Sequence, residues 1–339
     1  ANALLRLLRN LVSSLGSQSH LTWDIAIPVV ALACDPSSMQ YQLLSEDGYE
    51  LWGMLLQNFS SHDQEFDDKF VELVPFLKYG IETHTEILPT LLEIIKSYAL
   101  ILNPVDFFSN NTFQDIFKQM SKYLLKLRED SFQLVLEIWE ILILSNESDY
   151  ENLLLQKFYE TGVLSALFDA IFLEEAPSSY LCSQIIQIIA RISYVNPDAL
   201  MTFLATYHDN LPTSNENARM PESIRKIVSK DQTYDSVVNK LLTGWIVCFR
   251  DIFDPKFKKV HILGISSLLR TGLVPILTEF SSIASLWIEM LEEINETNRG
   301  DCEKYHLNDI VTEQSIAFHP LTAEQLRYHQ LCKNNDPVH

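Results

Sequence analysis

The chain has 339 residues, of which 47% are hydrophobic, and its formal net charge is −20. That apolar content excludes a disordered chain, and the length calls for two globular domains or one elongated array. The negative charge repels phosphate backbones, so no direct nucleic-acid binding is expected; basic partners are favoured, unless the acidity serves only to keep a leucine-rich chain soluble.

Glycine numbers only 9, too few for the tight turns and phosphate loops of most sheet folds. The five cysteines, Cys34, Cys182, Cys248, Cys302 and Cys332, are scattered and form no CxxC pair. Neither a zinc ribbon nor a disulfide framework is expected, and a reducing compartment is. No apolar run reaches the roughly 18 residues of a membrane span, so membrane insertion is not expected. The chain opens inside a helical pattern without a methionine, as a piece of something longer would.

Taken in order, helical periodicity appears first at Leu4, Leu5, Leu8, Leu11, Val12 and Leu15, with Gly16 as its stop. It returns at Leu88, Leu91, Leu92, Ile95, Tyr98, Ala99 and Leu102, closed by Asn103-Pro104. Between Leu134 and Leu144 nearly every residue is apolar except Glu137 and Glu140, which predicts a helix sandwiched on several sides. A further pattern runs through Val238, Leu241, Leu242, Trp245, Phe249 and Ile252 to Asp254-Pro255. Prolines recur inside or just before apolar helices, at Pro28, Pro75, Pro89 and Pro275. Asp-Pro or Asn-Pro stops recur at Asp35, Asn103, Asn196 and Asp254.

These devices predict an all-α fold, an α-α superhelix of HEAT/armadillo-type repeats with a period of roughly 40–47 residues. Residues 1–297 are expected to form the solenoid, about seven helical hairpins interrupted by a long loop at 209–232. Residues 298–339 are expected to form a polar segment with one short helix near Thr322–Lys333, truncated before the final repeats. The second half of the 209–232 loop is basic, through Arg219, Arg225, Lys226 and Lys230. It is either a passive insertion or a regulatory loop competing with basic ligands for an acidic face.

Catalytic signatures are missing: there is no phosphate loop, no HExxH, no GxSxG and no kinase set. His84-Thr85-Glu86 is the nearest approach to a ligand cluster, and no enzyme, metal or cofactor is expected. Candidate function rests on charged faces. Glu289, Glu292, Glu293 and Glu296 share one helix face at i, i+3, i+4 and i+7, and Glu137 and Glu140 flank Trp139. An exposed indole between carboxylates suits a basic peptide through ion pairing and cation–π contact; the alternatives are a solvated outer face and a core tryptophan.

The block Asp35-Pro36 with Gln42-Leu43-Leu44-Ser45-Glu46-Asp47-Gly48-Tyr49-Glu50-Leu51-Trp52 resembles the C-terminal half of importin-β-type karyopherins, the importin-eleven branch above all. Lys333-Asn334-Asn335-Asp336-Pro337-Val338-His339 resembles that branch's segment before its final helices. The resemblance implies a nuclear import receptor that shuttles between cytoplasm and nucleus as a monomer. It implies basic protein cargo on a concave face, Ran-GTP bound chiefly through N-terminal repeats absent here, and Phe-Gly nucleoporins in convex-face slots. It transfers no individual contact residue. A static HEAT-repeat scaffold or adaptor remains the alternative from the same architecture, and an enzyme using dispersed carboxylates a distant one.

Overall fold

The computed structural model describes residues 2–60, 66, 68–146, 151–175, 177–252, 254–299 and 322–338, with the backbone alone for 151 and 293–299. Among these residues there is no strand; the β pairing is an isolated bridge between Leu173 and Lys226. No helix among them is long and apolar enough to cross a membrane. The described residues divide into two compact units, one running up to Asn146 and including the last helix, the other spanning the helices between.

In the first unit the helices are α1 (Asn2–Leu15), α2 (Trp23–Cys34), α3 (Tyr41–Gln57), α4 (Lys69–Glu72), α5 (Val74–Thr83) and α6 (Leu88–Ile101), then α7 (Pro104–Ser109), α8 (Asn111–Tyr123) and α9 (Glu129–Leu144). Helices α3, α6 and α9 pack side by side as one row, and α5 packs on α8 in the other. This is the two-layer stacking of a helical-repeat solenoid.

The aromatic core fixes the spacing between successive pairs. Trp52 and Tyr98 are fully buried; the Trp52 indole donates to the Tyr98 hydroxyl at 3.1 Å, and that hydroxyl donates to the Phe70 carbonyl. Three helices, α3, α4 and α6, thus meet at one satisfied polar chain, where a lone buried indole or phenol would cost about 1–3 kcal/mol. Phe107 and Phe113 stack at 4.1 Å between ring centroids, which assigns the Phe107-Phe108 pair to core packing.

The second unit holds α10 (Glu151–Glu160), α11 (Val163–Phe172), α12 (Ser179–Val195), α13 (Pro197–Asp209), α14 (Ser214–Asn217), α15 (Tyr234–Phe249), α16 (Pro255–Leu268), α17 (Val274–Thr278) and α18 (Phe280–Arg299). Helix α12 packs on α11 and α16, and α15 on α17. The α12–α16 seam is the tightest. A Cβ on Gly264 would stand 2.5 Å from the Ala190 Cα, so no other residue lets the two backbones approach so closely.

The X-Pro pairs do more than stop a helix. Asn103, Asn196 and Asp254 each cap the next helix, accepting a backbone N–H from Asp106, Ala199 and Lys256 at 2.8–2.9 Å, with the proline in the first turn. Asp35-Pro36 differs: Asp35 holds a turn through the Ser37 N–H, and α3 begins only at Tyr41. Pro75, Pro89 and Pro275 also sit at helix starts, and Pro28 alone of the four lies inside a helix. Gly16 follows α1 at φ +53°, the left-handed conformation that its predicted stop requires.

The 209–232 segment is not an open loop. It contains α14, closed by a capping box between Thr213 and Glu216, and a 3-10 turn at Glu222–Ile224. The last helix, α19 (Ala323–Asn335), starts in a second capping box between Thr322 and Gln325 and packs on α3, α6 and α9.

Candidate functional site

The acidic row of α18 is helical throughout, so Glu289, Glu292, Glu293 and Glu296 keep the spacing that gives them one face. Glu289 and Glu292 are exposed, whereas Met290 is buried and the Trp287 indole donates to Ser266 at 2.9 Å. The side chains of Glu293 and Glu296 lie outside the described residues.

Helix α9 corrects the picture of an exposed indole. Trp139 is 0% exposed, because its position points into the row that also buries Val135, Ile138, Leu142 and Ile143. It therefore serves as core and offers no ring face to a ligand. Glu137 and Glu140, by contrast, are half-buried on the side facing α6 and α19. There the Lys96 ammonium of α6 stands among three carboxylates: Glu93 at 3.1 Å, Glu137 at 3.5 Å and Glu324 of α19 at 3.9 Å. Burial raises the Glu137 carboxyl above its ordinary range, and raises Glu324 likewise. Burial alone would push the Lys96 ammonium down, but Glu137, Glu93 and Glu324 outweigh it and the net shift is upward.

Glu324 is buried and accepts a hydrogen bond from the Ser97 hydroxyl. Three residues on, the Arg327 guanidinium donates to two carbonyls at the C-terminal end of α3, Leu56 at 3.0 Å and Phe59, and lies 5.6 Å from the Phe59 ring centroid. At the far end of α19, the Asn335 side chain donates to the Leu144 carbonyl, the last residue of α9, at 2.7 Å. Sequence reasoning missed Lys96, Glu324 and Arg327. The Thr322/Gln325 capping box marks the helix, yet no local signal says where it docks.

Of the basic loop residues, Arg225 pairs with Glu174 at 3.3 Å, and Lys226 pairs with Asp169 while lying 5.1 Å from the Tyr207 ring centroid. Arg219 and Lys230 are exposed. Among the described residues no group of three or more His, Cys, Asp or Glu is arranged to hold a metal. His84 instead bridges the Glu86 carboxylate at 3.2 Å and the Tyr41 hydroxyl at 2.8 Å. An apolar cleft of about 440 Å³ lies among α5, α6, α8 and α9, lined by Leu88, Leu92, Met120, Tyr123 and Leu127.

A family profile described as "Importin-11-like, TPR repeats" matches residues 2–339. The chain belongs to the importin-11-like family. Curated relatives of this importin-11-like chain include Importin beta-like protein kap113 of Schizosaccharomyces pombe, 26% identical over 336 residues, covering 99% of this chain and 30% of the relative. Importin-11 of Mus musculus is 24% identical over 350 residues, and Importin-11 of Homo sapiens 24% over 347, each covering 99% of this chain and 32% of its own length. The chain thus spans about a third of the length of the curated relatives it matches. The importin-like block Gln42–Trp52 forms most of α3, and its Gly48 sits where a Cβ would meet the Ala33 Cβ at 2.7 Å. That part of the resemblance is explained by helix packing.

Proposed function

We propose that this importin-11-like chain is a cargo-recognising portion of a karyopherin that carries basic proteins into the nucleus. The family match across residues 2–339, on an acidic helical-repeat fold, carries the reading. Exposed carboxylates such as Glu289 and Glu292 attract lysine and arginine side chains and speed their encounter. One exposed ion pair contributes only about 0.2–1 kcal/mol, so recognition needs several along the cargo and is salt-sensitive. Glu293 and Glu296 extend the same helix face.

In the whole receptor, Ran-GTP bound upstream releases cargo by changing how successive repeats stack, since each repeat contacts its neighbours. Phe-Gly nucleoporins supply phenyl rings, and the cleft among α5, α6, α8 and α9 has the apolar lining to receive one. The receptor then shuttles between cytoplasm and nucleus as a monomer.

The test is a fluorescent lysine- and arginine-rich peptide titrated across salt onto this chain and onto a Glu289/Glu292/Glu293/Glu296 charge-reversal variant. Affinity that falls with salt and drops about ten-fold or more in the variant is expected, a loss of ~1.4 kcal/mol. Absence of binding at low salt contradicts a basic-cargo site in this portion.

A further inference from the structure

Helix α19 is an unusual occupant of its seat. Of its own side chains Glu324 and Cys332 are fully buried and Arg327 and Tyr328 partly so, while Leu326 stays 45% exposed. It is held by hydrogen bonds and charges, each contributing little on balance because water offers the same partners. Burial works against two of its anchors, pushing the Arg327 guanidinium down to about 10 and the Glu324 carboxyl up. The helix's apolar contact is limited to Cys332 and the partly buried Tyr328 and Leu331, less than the apolar face that makes helix packing permanent.

The seat itself has a definite chemistry. The Leu56 carbonyl in the last turn of α3 and the Phe59 carbonyl just after it meet the two arms of one guanidinium, at the negative end of a helix dipole and against an aromatic ring. That planar fork is met by arginine and not by the compact lysine ammonium. Beside it, Glu93 and Glu137 outnumber the Lys96 ammonium even before Glu324 is counted. Burial raises the α19 phenol of Tyr328, and the neighbouring Glu140 carboxylate adds to it.

We propose that the α3–α6–α9 face is a binding site for an arginine-bearing basic segment, occupied in cis by α19, whose Arg327 takes the ligand's place. The identity of the ligand as cargo rests on the basic-cargo reading above; the seat and its cis occupant do not. Cargo binding at this face then requires α19 to leave, and the fraction of molecules with α19 released scales the apparent affinity.

Two peptides of equal length and charge, one built on arginine and one on lysine, are titrated onto the unmodified chain and onto a Glu324→Ala/Arg327→Ala variant of matching thermal stability. The variant is expected to bind the arginine peptide about ten-fold tighter than the unmodified chain does, and to prefer it over the lysine peptide by about ten-fold. Arg327→Lys, which keeps the charge and loses the fork, moves affinity in the same direction. In the unmodified chain, saturating arginine peptide accelerates hydrogen exchange at 323–335. Equal affinities of both chains, with exchange at 323–335 unchanged, overturn the proposal and leave the basic-cargo reading standing. Absence of arginine-peptide binding to either chain at low salt overturns both.

Discussion

Helix α16 on α12 and helix α19 across α3, α6 and α9 are both seated by polar groups, and the two seats differ in what surrounds those groups. In the α12–α16 seam, Ser193 donates to the Gly264 carbonyl at 2.8 Å and Ser267 to the Ser193 carbonyl at 2.7 Å, all of them buried. His261 donates through Nε2 to the Ser183 carbonyl at 3.1 Å, and burial pushes its imidazole down to about 3. Gly264 brings the backbones together, so those hydrogen bonds sit inside close apolar packing with Ile265 and Leu268. Under α19 the polar groups are mostly charged, Glu324 buried and Lys96 and Arg327 partly so, and of the helix's apolar side chains only Cys332 is fully buried with them. Polar contacts backed by packing make a permanent seam; polar contacts without it make a releasable one.

The largest expected effect comes from the core of the first unit, beneath the α19 seat. Trp139→Ala costs about 3–5 kcal/mol in chemical denaturation, whereas Trp139→Phe costs far less and leaves basic-peptide affinity unchanged. An affinity loss in the Phe variant would return the indole to the binding surface.

Gly264→Ala comes next, with a loss of about 1–3 kcal/mol from forcing a methyl against the Ala190 backbone, read from the same unfolding curves. Ala190→Gly in that background restores part of it by removing the opposing Cβ.

His261 gives the seam a pH dependence. Its folded-state proton affinity is depressed, so the unfolded chain takes up a proton that the folded chain refuses. Stability therefore falls as pH drops below about 6.5 and continues to fall towards about 3, with a contribution approaching 1.4 kcal/mol per pH unit. His261→Gln flattens that slope.

Ser97→Ala has the smallest effect, about 1 kcal/mol, and it falls on α19 docking alone, measured by hydrogen exchange at 323–335. Glu324 carries the opposite sign to His261: its carboxyl is raised in the folded chain, so docking strengthens as pH falls from neutral towards the carboxylate range. A docking strength that weakens on mild acidification would break the contrast between the two seats.

Much of the architecture is legible in the chain itself, because helix period, X-Pro pairs and capping residues are local. Leu4–Leu15, Leu88–Leu102 and the α19 capping box all lie where short-range chemistry places helices. What is not legible is long-range. Glu137, Trp139 and Glu140 read as one cluster along the sequence, and only the neighbouring row decides that the indole goes inward while Glu137 meets Lys96. Arg327 reaches the Phe59 and Leu56 carbonyls from 268 and 271 residues away, a pairing with no periodic signature. Gly264 and His261 are equally silent, since a glycine or histidine in a helical pattern looks the same whether or not a backbone presses against it.

Native-state hydrogen exchange on the unmodified chain compares the two seats most directly. Amides of α19 are expected to exchange through a local opening well below the free energy of global unfolding, while those of α16 exchange only with the unfolding of their unit. Protection of α19 equal to that of α16 would contradict a releasable seat.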